Sequence, residues 1–375
     1  MSGKVILGYD VETASDNTAG FLAGARRLHR ELGVPWTIYL TGRTAEACTD
    51  TILEVMEGEA DLLTVGQHTY NHVLFKSVFM TPGDGKPVHG GFPNFFKEGG
   101  TPEQLREEVA STQQLLRDRL GLECTGLTGP WGYYRGLADR PDLLRLLADN
   151  GIRWVRTWAR DHRDCQPTPF EVQPFFYVDQ GFPEILELGV QGYQDDFYWD
   201  RFDDRRHGET YEDYLFATLE QVADEDRVWN LCSHDHGTPT AEVFFETKGR
   251  WLGAVIERAR QLGVRFASPP DLYEELKAAR WAEAARWDGS AAIELFATFG
   301  FPLEMMRITA DYAVHRMELS PEQSARERGD RLFGERYGVR VKVYAIGDVD
   351  PAPRAERESP TFSKENCVAP RRAHG

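Results

Sequence analysis

A chain of 375 residues has room for one large α/β domain with an appendage, or for two to three ordinary domains. Its 60 Asp and Glu outnumber 43 Lys and Arg, and a formal net charge of −17 speaks against a nucleic-acid binder and against docking on anionic lipid. Five cysteines (Cys48, Cys124, Cys165, Cys232, Cys367), far apart and with no Cys-x-x-Cys pair, exclude a disulfide framework and a zinc knuckle.

Residues 4–9 read as a buried first strand that carries Asp10 and Glu12 to its C-terminal end. With that strand starting by about residue 4, no signal peptide is expected, and no stretch approaches the roughly 18 apolar residues of a membrane span, so a cytoplasmic protein is expected. A helix follows over residues 20–32, with Leu22, Ala25, Leu28 and Leu32 on one face. Residues 34–40 form a second strand, 44–57 a helix and 62–65 a third strand. Thr101-Pro102-Glu103-Gln104 is a helix start, with a Thr cap, Pro at the first helical position and Gln where it can close a capping box. That helix runs to about Leu120 and stops at Gly121.

Later strands are expected at residues 124–127, 154–157, 186–188, 228–232 and 265–267, with helices over 141–150, 210–223 and 247–262. Such alternation implies parallel strands with crossover helices, and seven or so strands by residue 267 favour a barrel over a second domain. The expected organisation is a barrel over 1–280, a mostly helical C-terminal extension over 281–347, and a flexible tail over 348–375 rich in Pro, Arg, Glu and Ser. The apolar stretch 293–306 in the extension suggests an oligomer contact or a lid.

Reactive residue types gather at the strand ends. Asp10 and Glu12 follow the first. Gly66-Gln67-His68-Thr69-Tyr70-Asn71-His72 follows the third, and two imidazoles at this spacing can share a divalent cation with a carboxylate. Thr128-Gly129-Pro130-Trp131-Gly132 reads as a turn whose backbone amides can point into a cleft. Ser233-His234-Asp235-His236 ends a late strand, and His236 reads as a loop residue or substrate contact. There is no Gly-x-Ser-x-Gly elbow and no cysteine in a recognisable catalytic setting, which disfavours a nucleophile-based hydrolase.

In this order, over residues 4–275, these segments resemble the polysaccharide deacetylase family (carbohydrate esterase family 4 and its relatives). Asp10-Val11-Glu12 looks like a variant of the family's first motif, His68 and His72 match its His-Ser/Thr-x-x-His, residues 126–132 line up with its Gly-Phe-Arg-x-Pro-Tyr-Gly, and residues 231–235 with its Leu-x-x-His-Asp. The resemblance implies a distorted (β/α)7 barrel and a metal-dependent deacetylase acting on a small N-acyl sugar or glycoside. A deformylase, a cyclic-amide hydrolase or an inactive carbohydrate-binding homologue are the alternatives on the same fold. It implies that Glu12, His68 and His72 hold a divalent metal, Zn2+ first, with Co2+, Ni2+ or Mn2+ compatible. Asp10 would take a proton from water, the Trp131 N–H would help hold the oxyanion, and His234 would protonate the departing amine, oriented by Asp235. Thr128 stands where the family has an arginine that fixes the catalytic Asp, and Arg135 is the expected stand-in. The family's fourth motif maps loosely onto Trp158 and Asp161 or Asp164, which read as solvated loop acids.

Overall fold

Strand β1 (Lys4–Val11) is buried along its whole length, as a central strand covered on both faces must be. In the computed structural model, which describes residues 3–89, 92–202 and 209–284, β1 lies near one end of a nine-stranded sheet. It leads into α1 (Asp16–Leu32), where the Ser15 side chain accepts from Asn17 N–H and Gly33 closes the helix at φ 60°. Then come β2 (Trp36–Leu40), α2 (Gly42–Ala47), α3 (Thr49–Met56) and β3 (Leu63–Gln67). The expected helix over 44–57 is therefore two, because Cys48 leaves the helical conformation at φ −116°, ψ 25°.

A short antiparallel pair, β4 (Val78–Met80) and β5 (Phe95–Lys97), precedes α4 (Pro102–Leu120). Thr101 caps α4 as its sequence requires, accepting from Gln104 N–H, and Gly121 ends it at φ 67°. Next are β6 (Gly126–Tyr134), α5 (Pro141–Asp149), β7 (Trp154–Arg160), β8 (Phe175–Tyr177), β9 (Phe182–Glu187), α6 (Asp195–Phe202) and α7 (Glu209–Glu225). The described chain closes with β10 (Val228–His234), α8 (Ala241–Glu246), α9 (Lys248–Gln261), β11 (Arg265–Phe266) and α10 (Pro269–Ala284).

The strand order β10-β1-β2-β3-β6-β7-β9-β8 is parallel through its first seven members, with β8 antiparallel at the edge. No ladder joins β9 to β10 among the described residues; side chains span that gap instead. Asn230 Nδ2–H donates to the Leu188 carbonyl at 2.8 Å, Asn230 N–H to Gln191 Oε1 at 2.9 Å, and Gln173 exchanges hydrogen bonds with the Val228 backbone. Seven parallel strands with this gap between β9 and β10 make the distorted (β/α)7 barrel that the family resemblance implied.

Two large side chains inside it, Trp154 and Tyr39, dictate two glycines. A Cβ on Gly126 would come 1.9 Å from the Trp154 ring, and one on Gly66 would come 2.7 Å from Tyr39 and 3.2 Å from Trp154. The buried indole thus occupies the volume those two strands leave open, and each such buried side chain contributes on the order of 1.5–3 kcal/mol.

The chain divides into one unit of residues 1–177 with 182–276 and another of 178–181 with 277–375. The expected barrel boundary at residue 280 falls inside α10; beyond Ala284 the expected extension and tail lie outside the described residues. Among the described residues no helix is long and apolar enough to cross a membrane.

Candidate metal and acid–base site

The exits of β1, β3, β6, β7 and β10 meet at one end of the sheet. Nε2 of His68 lies 3.1 Å and Nε2 of His72 2.9 Å from the same oxygen of Glu12, Oε2. The three ligand atoms lie within 4.8 Å of one another. His68 Nδ1 is 3.0 Å from the Thr128 carbonyl, which can only accept, so Nδ1 carries the hydrogen and Nε2 faces the carboxylate. Burial works against ionised Glu12, but His72, His236 and His68 around it hold the carboxyl well below its usual range. Two imidazole nitrogens and a carboxylate oxygen converging in this way fit a divalent first-row cation.

The loop that carries the histidines is fastened on both sides. Gly42 and Arg43 N–H at the start of α2 donate to the Thr69 and Tyr70 carbonyls at 2.9 and 3.1 Å. Glu108 of α4 accepts from Asn71 N–H at 2.6 Å and from its Nδ2–H at 2.7 Å. These bonds hold Thr69 and His72 at φ 58° and 59°, a conformation costing a non-glycine residue about 1–3 kcal/mol.

Asp10, buried at the end of β1, is paired with Arg156, not with Arg135. The Arg156 Nη2–H donates to Asp10 Oδ1 and its Nε–H to Thr128 Oγ1 at 2.9 Å, while the guanidinium lies 4.2 Å over the Tyr39 ring. Thr128 and Arg156 are register partners on β6 and β7. The arginine missing at Thr128 is thus supplied by the neighbouring strand, and Thr128 steadies it. Gly8 makes this passage possible, since a Cβ there would sit 2.7 Å from Arg156 Nη1. The expectation for Arg135 is overturned: it is exposed, at φ 61°, in the bend after β6.

His234 lies across from Asp10, with Nε2 3.8 Å from Asp10 Oδ2. Its orienting acid is Asp195, not Asp235. Nδ1 of His234 is 2.6 Å from Asp195 Oδ1, and Lys248 Nζ holds the other oxygen at 2.6 Å. Burial alone would lower the His234 pKa, but Asp195 and Asp196 outweigh it and push it up to about 9. Asp235 instead fastens the segment after β1. Its carboxylate accepts from Glu12 N–H and Thr13 N–H at 3.2 Å and from Thr18 Oγ1–H at 2.6 Å. The reason is directional: successive side chains on a strand exit point to opposite sides, so the residue after His234 faces away from its ring.

Residues 128–132 belong to β6 rather than to a free turn, although the β6–β7 register shifts between Thr128 and Tyr133. Trp131 there adopts φ 72°, and Arg160 Nε–H donates to its carbonyl at 3.0 Å. The Trp131 ring stacks on Phe95 at 4.9 Å and meets His89 edge-on at 4.7 Å. Asp161 is buried rather than solvated: it folds its own turn, accepting from the Arg163 and Cys165 backbone N–H at 2.8 and 2.9 Å. Asp164 accepts from Phe79 N–H at 3.0 Å.

His236, read as a loop residue, sits with Nδ1 2.6 Å from Asp196 Oδ2 and Nε2 3.1 Å from Glu12 Oε1. The residues that sequence reasoning missed are Arg156, Asp195, Asp196, Lys248 and this role of His236. Arg156 alone left a usable trace, a charged residue inside the apolar strand Trp154-Val155-Arg156-Thr157-Trp158. An Asp-Asp pair 39 residues before its histidine carries no such signal.

No protein-family model and no curated protein matches the sequence. Solved structures do. Puue allantoinase aligns over 74% of this chain and 91% of its own at 12% identity, TM-score 0.52. A putative polysaccharide deacetylase from Mycobacterium smegmatis aligns over 74% and 92% at 14% identity, TM-score 0.49. A mutant of a CE4 family pseudoenzyme with restored enzymatic activity aligns over 72% and 68% at 11% identity, TM-score 0.42. At 12% identity the likeness to the allantoinase carries the fold alone.

Proposed function

We propose that this chain is a metal-dependent hydrolase of carbon–nitrogen bonds that removes an acyl group, acetyl first, from the nitrogen of a small amino sugar or glycoside. What supports the reading is one observation: Asp10, Glu12, His68, His72 and His234 converge from three strand ends into a single cluster. Glu12, His68 and His72 would hold the cation, Zn2+ first. Once bound, such an ion polarises an acyl oxygen and makes water more acidic.

The other steps belong to the chain's own residues. Asp10, oriented by the Arg156 guanidinium, accepts a proton as water adds to the acyl carbon. The Trp131 N–H steadies the oxygen that becomes negative. His234, held protonated by Asp195 and Asp196, gives its proton to the nitrogen as the carbon–nitrogen bond breaks, releasing the acid and a free amine. Arg156 beside Asp10, in the place left without an arginine at Thr128, supports an active site over an inactive homologue.

The test is metal analysis of the purified protein followed by an amine-release screen over N-acetyl and N-formyl sugars, with cyclic amides in the same panel. His68→Ala and His72→Ala should each abolish bound metal and, with it, turnover. Undiminished turnover in either variant rules the metal mechanism out.

A further inference from the structure

The two oxygens of Glu12 face different partners. Oε2 meets the Nε2 atoms of His68 and His72, whereas Oε1 lies 3.1 Å from Nε2 of His236. The other ring nitrogen of His236 is 2.6 Å from Asp196 Oδ2. Both ring nitrogens of His236 are thus taken up by carboxylate oxygens, and neither is turned toward the cation. His236 also lies outside the ligand atoms of Glu12, His68 and His72 that sit within 4.8 Å of one another. Its place is behind the carboxylate, not beside it.

The arrangement is doubled. Asp195 and Asp196, adjacent in the first turn of α6, each hold one histidine from the exit of β10, and the rings of His234 and His236 stack 5.1 Å apart at 16°. One pair carries the proposed proton donor. The other reaches Glu12. A glutamate has one more rotatable bond than an aspartate, so ordering its side chain gives up more rotamer freedom. A donor fixed on Oε1 stops the carboxylate from rotating.

We propose that Asp196 and His236 form a positioning dyad for Glu12, which occupies Oε1 so that Oε2 alone is presented to the cation. The inference rests on the metal-dependent reading above. Charge alone does not test it, because removing the His236 ring changes the local charge as well as the hydrogen bond. His236→Ala and His236→Gln both remove the ring, and only Gln keeps an N–H for Oε1. Zn2+ affinity of the full metal-free chain, measured by competition with a chromophoric chelator, should be about 10-fold higher in His236→Gln than in His236→Ala, at the lower end of the 10–100-fold effects of such outer contacts. The Co2+-loaded Ala variant should show the weaker visible absorption of a higher-coordinate ion, as both Glu12 oxygens become free to bind. His236→Gln should keep the wild-type spectrum. If His236→Ala does not fold, His236→Phe supplies a ring without the N–H, and the same ordering is expected. Equal Zn2+ affinity and identical Co2+ spectra across the variants would overturn the dyad alone. A wild-type chain that binds neither ion would overturn the metal reading and the dyad with it.

Discussion

Arg156 and Asp10 bury opposite charges within the sheet, where each is tolerable only because the other is present. Removing one leaves the other unpaired in a place water does not reach. Arg156→Ala should therefore lower stability by about 3–5 kcal/mol in urea denaturation. Arg156→Lys should keep part of that stability but lose the contact with Thr128, whereas Arg135→Ala should leave both stability and turnover at wild-type levels. His234 makes a separate claim. With its pKa up at about 9 and the protonated ring as the donor, activity is retained below that value and lost as pH rises through it. The alkaline limb of kcat/KM should fall near 9, and Asp195→Asn should move it down toward the ordinary histidine value of about 6.5. A limb that does not move in Asp195→Asn would mean another group sets it.

At the scale of elements, the site depends on helices that contribute no reactive group. α4 reaches the His68–His72 loop through Glu108, and α2 through its first backbone amides. Glu108→Ala would leave the Asn71 N–H and amide without their acceptor, at a cost of about 1–3 kcal/mol. The urea midpoint should fall accordingly, and Zn2+ affinity should drop with it. The cap and stop of α4 were legible in Thr101-Pro102 and Gly121 because capping is local, settled within a few residues. Of the elements that went unread, β4, β5, β8 and α8 span only three to six residues, too few for a period of two or 3.6 to repeat, whereas α6 and α10 went unread at eight and sixteen residues.

At the scale of the whole molecule, His29 ties α1 to the sheet. It is fully buried, bonded to Tyr9 Oη at 2.8 Å and to the Val34 carbonyl at 3.0 Å, and stacked on Trp36. Burial pulls its pKa down to about 3, against about 6.5 unfolded. Between those values the unfolded chain binds a proton that the folded chain refuses. This contribution to stability is thus intact above about 6.5 and lost as pH falls toward 3, by up to about 1.4 kcal/mol per unit. Urea midpoints measured from pH 7 to pH 4 should fall more steeply for the wild type than for His29→Gln. Parallel slopes would show that His29 is not the group responsible.

Periodicity along the chain carried the alternation of strands and helices and favoured a barrel, and short-range residue types placed acids and histidines at strand exits. The resemblance to the polysaccharide deacetylase family is what joined Asp10, Glu12, His68, His72 and His234 into one expected site. Only the tertiary structure decided which charge answers which. Arg156 rather than Arg135 meets Asp10, Asp195 rather than Asp235 meets His234, and Asp196 with His236 meets Glu12. The chain offers 60 acidic side chains and 43 Lys and Arg. A pairing among them is set by distance after the strands have taken their register, and distance in space leaves no mark on spacing along the chain.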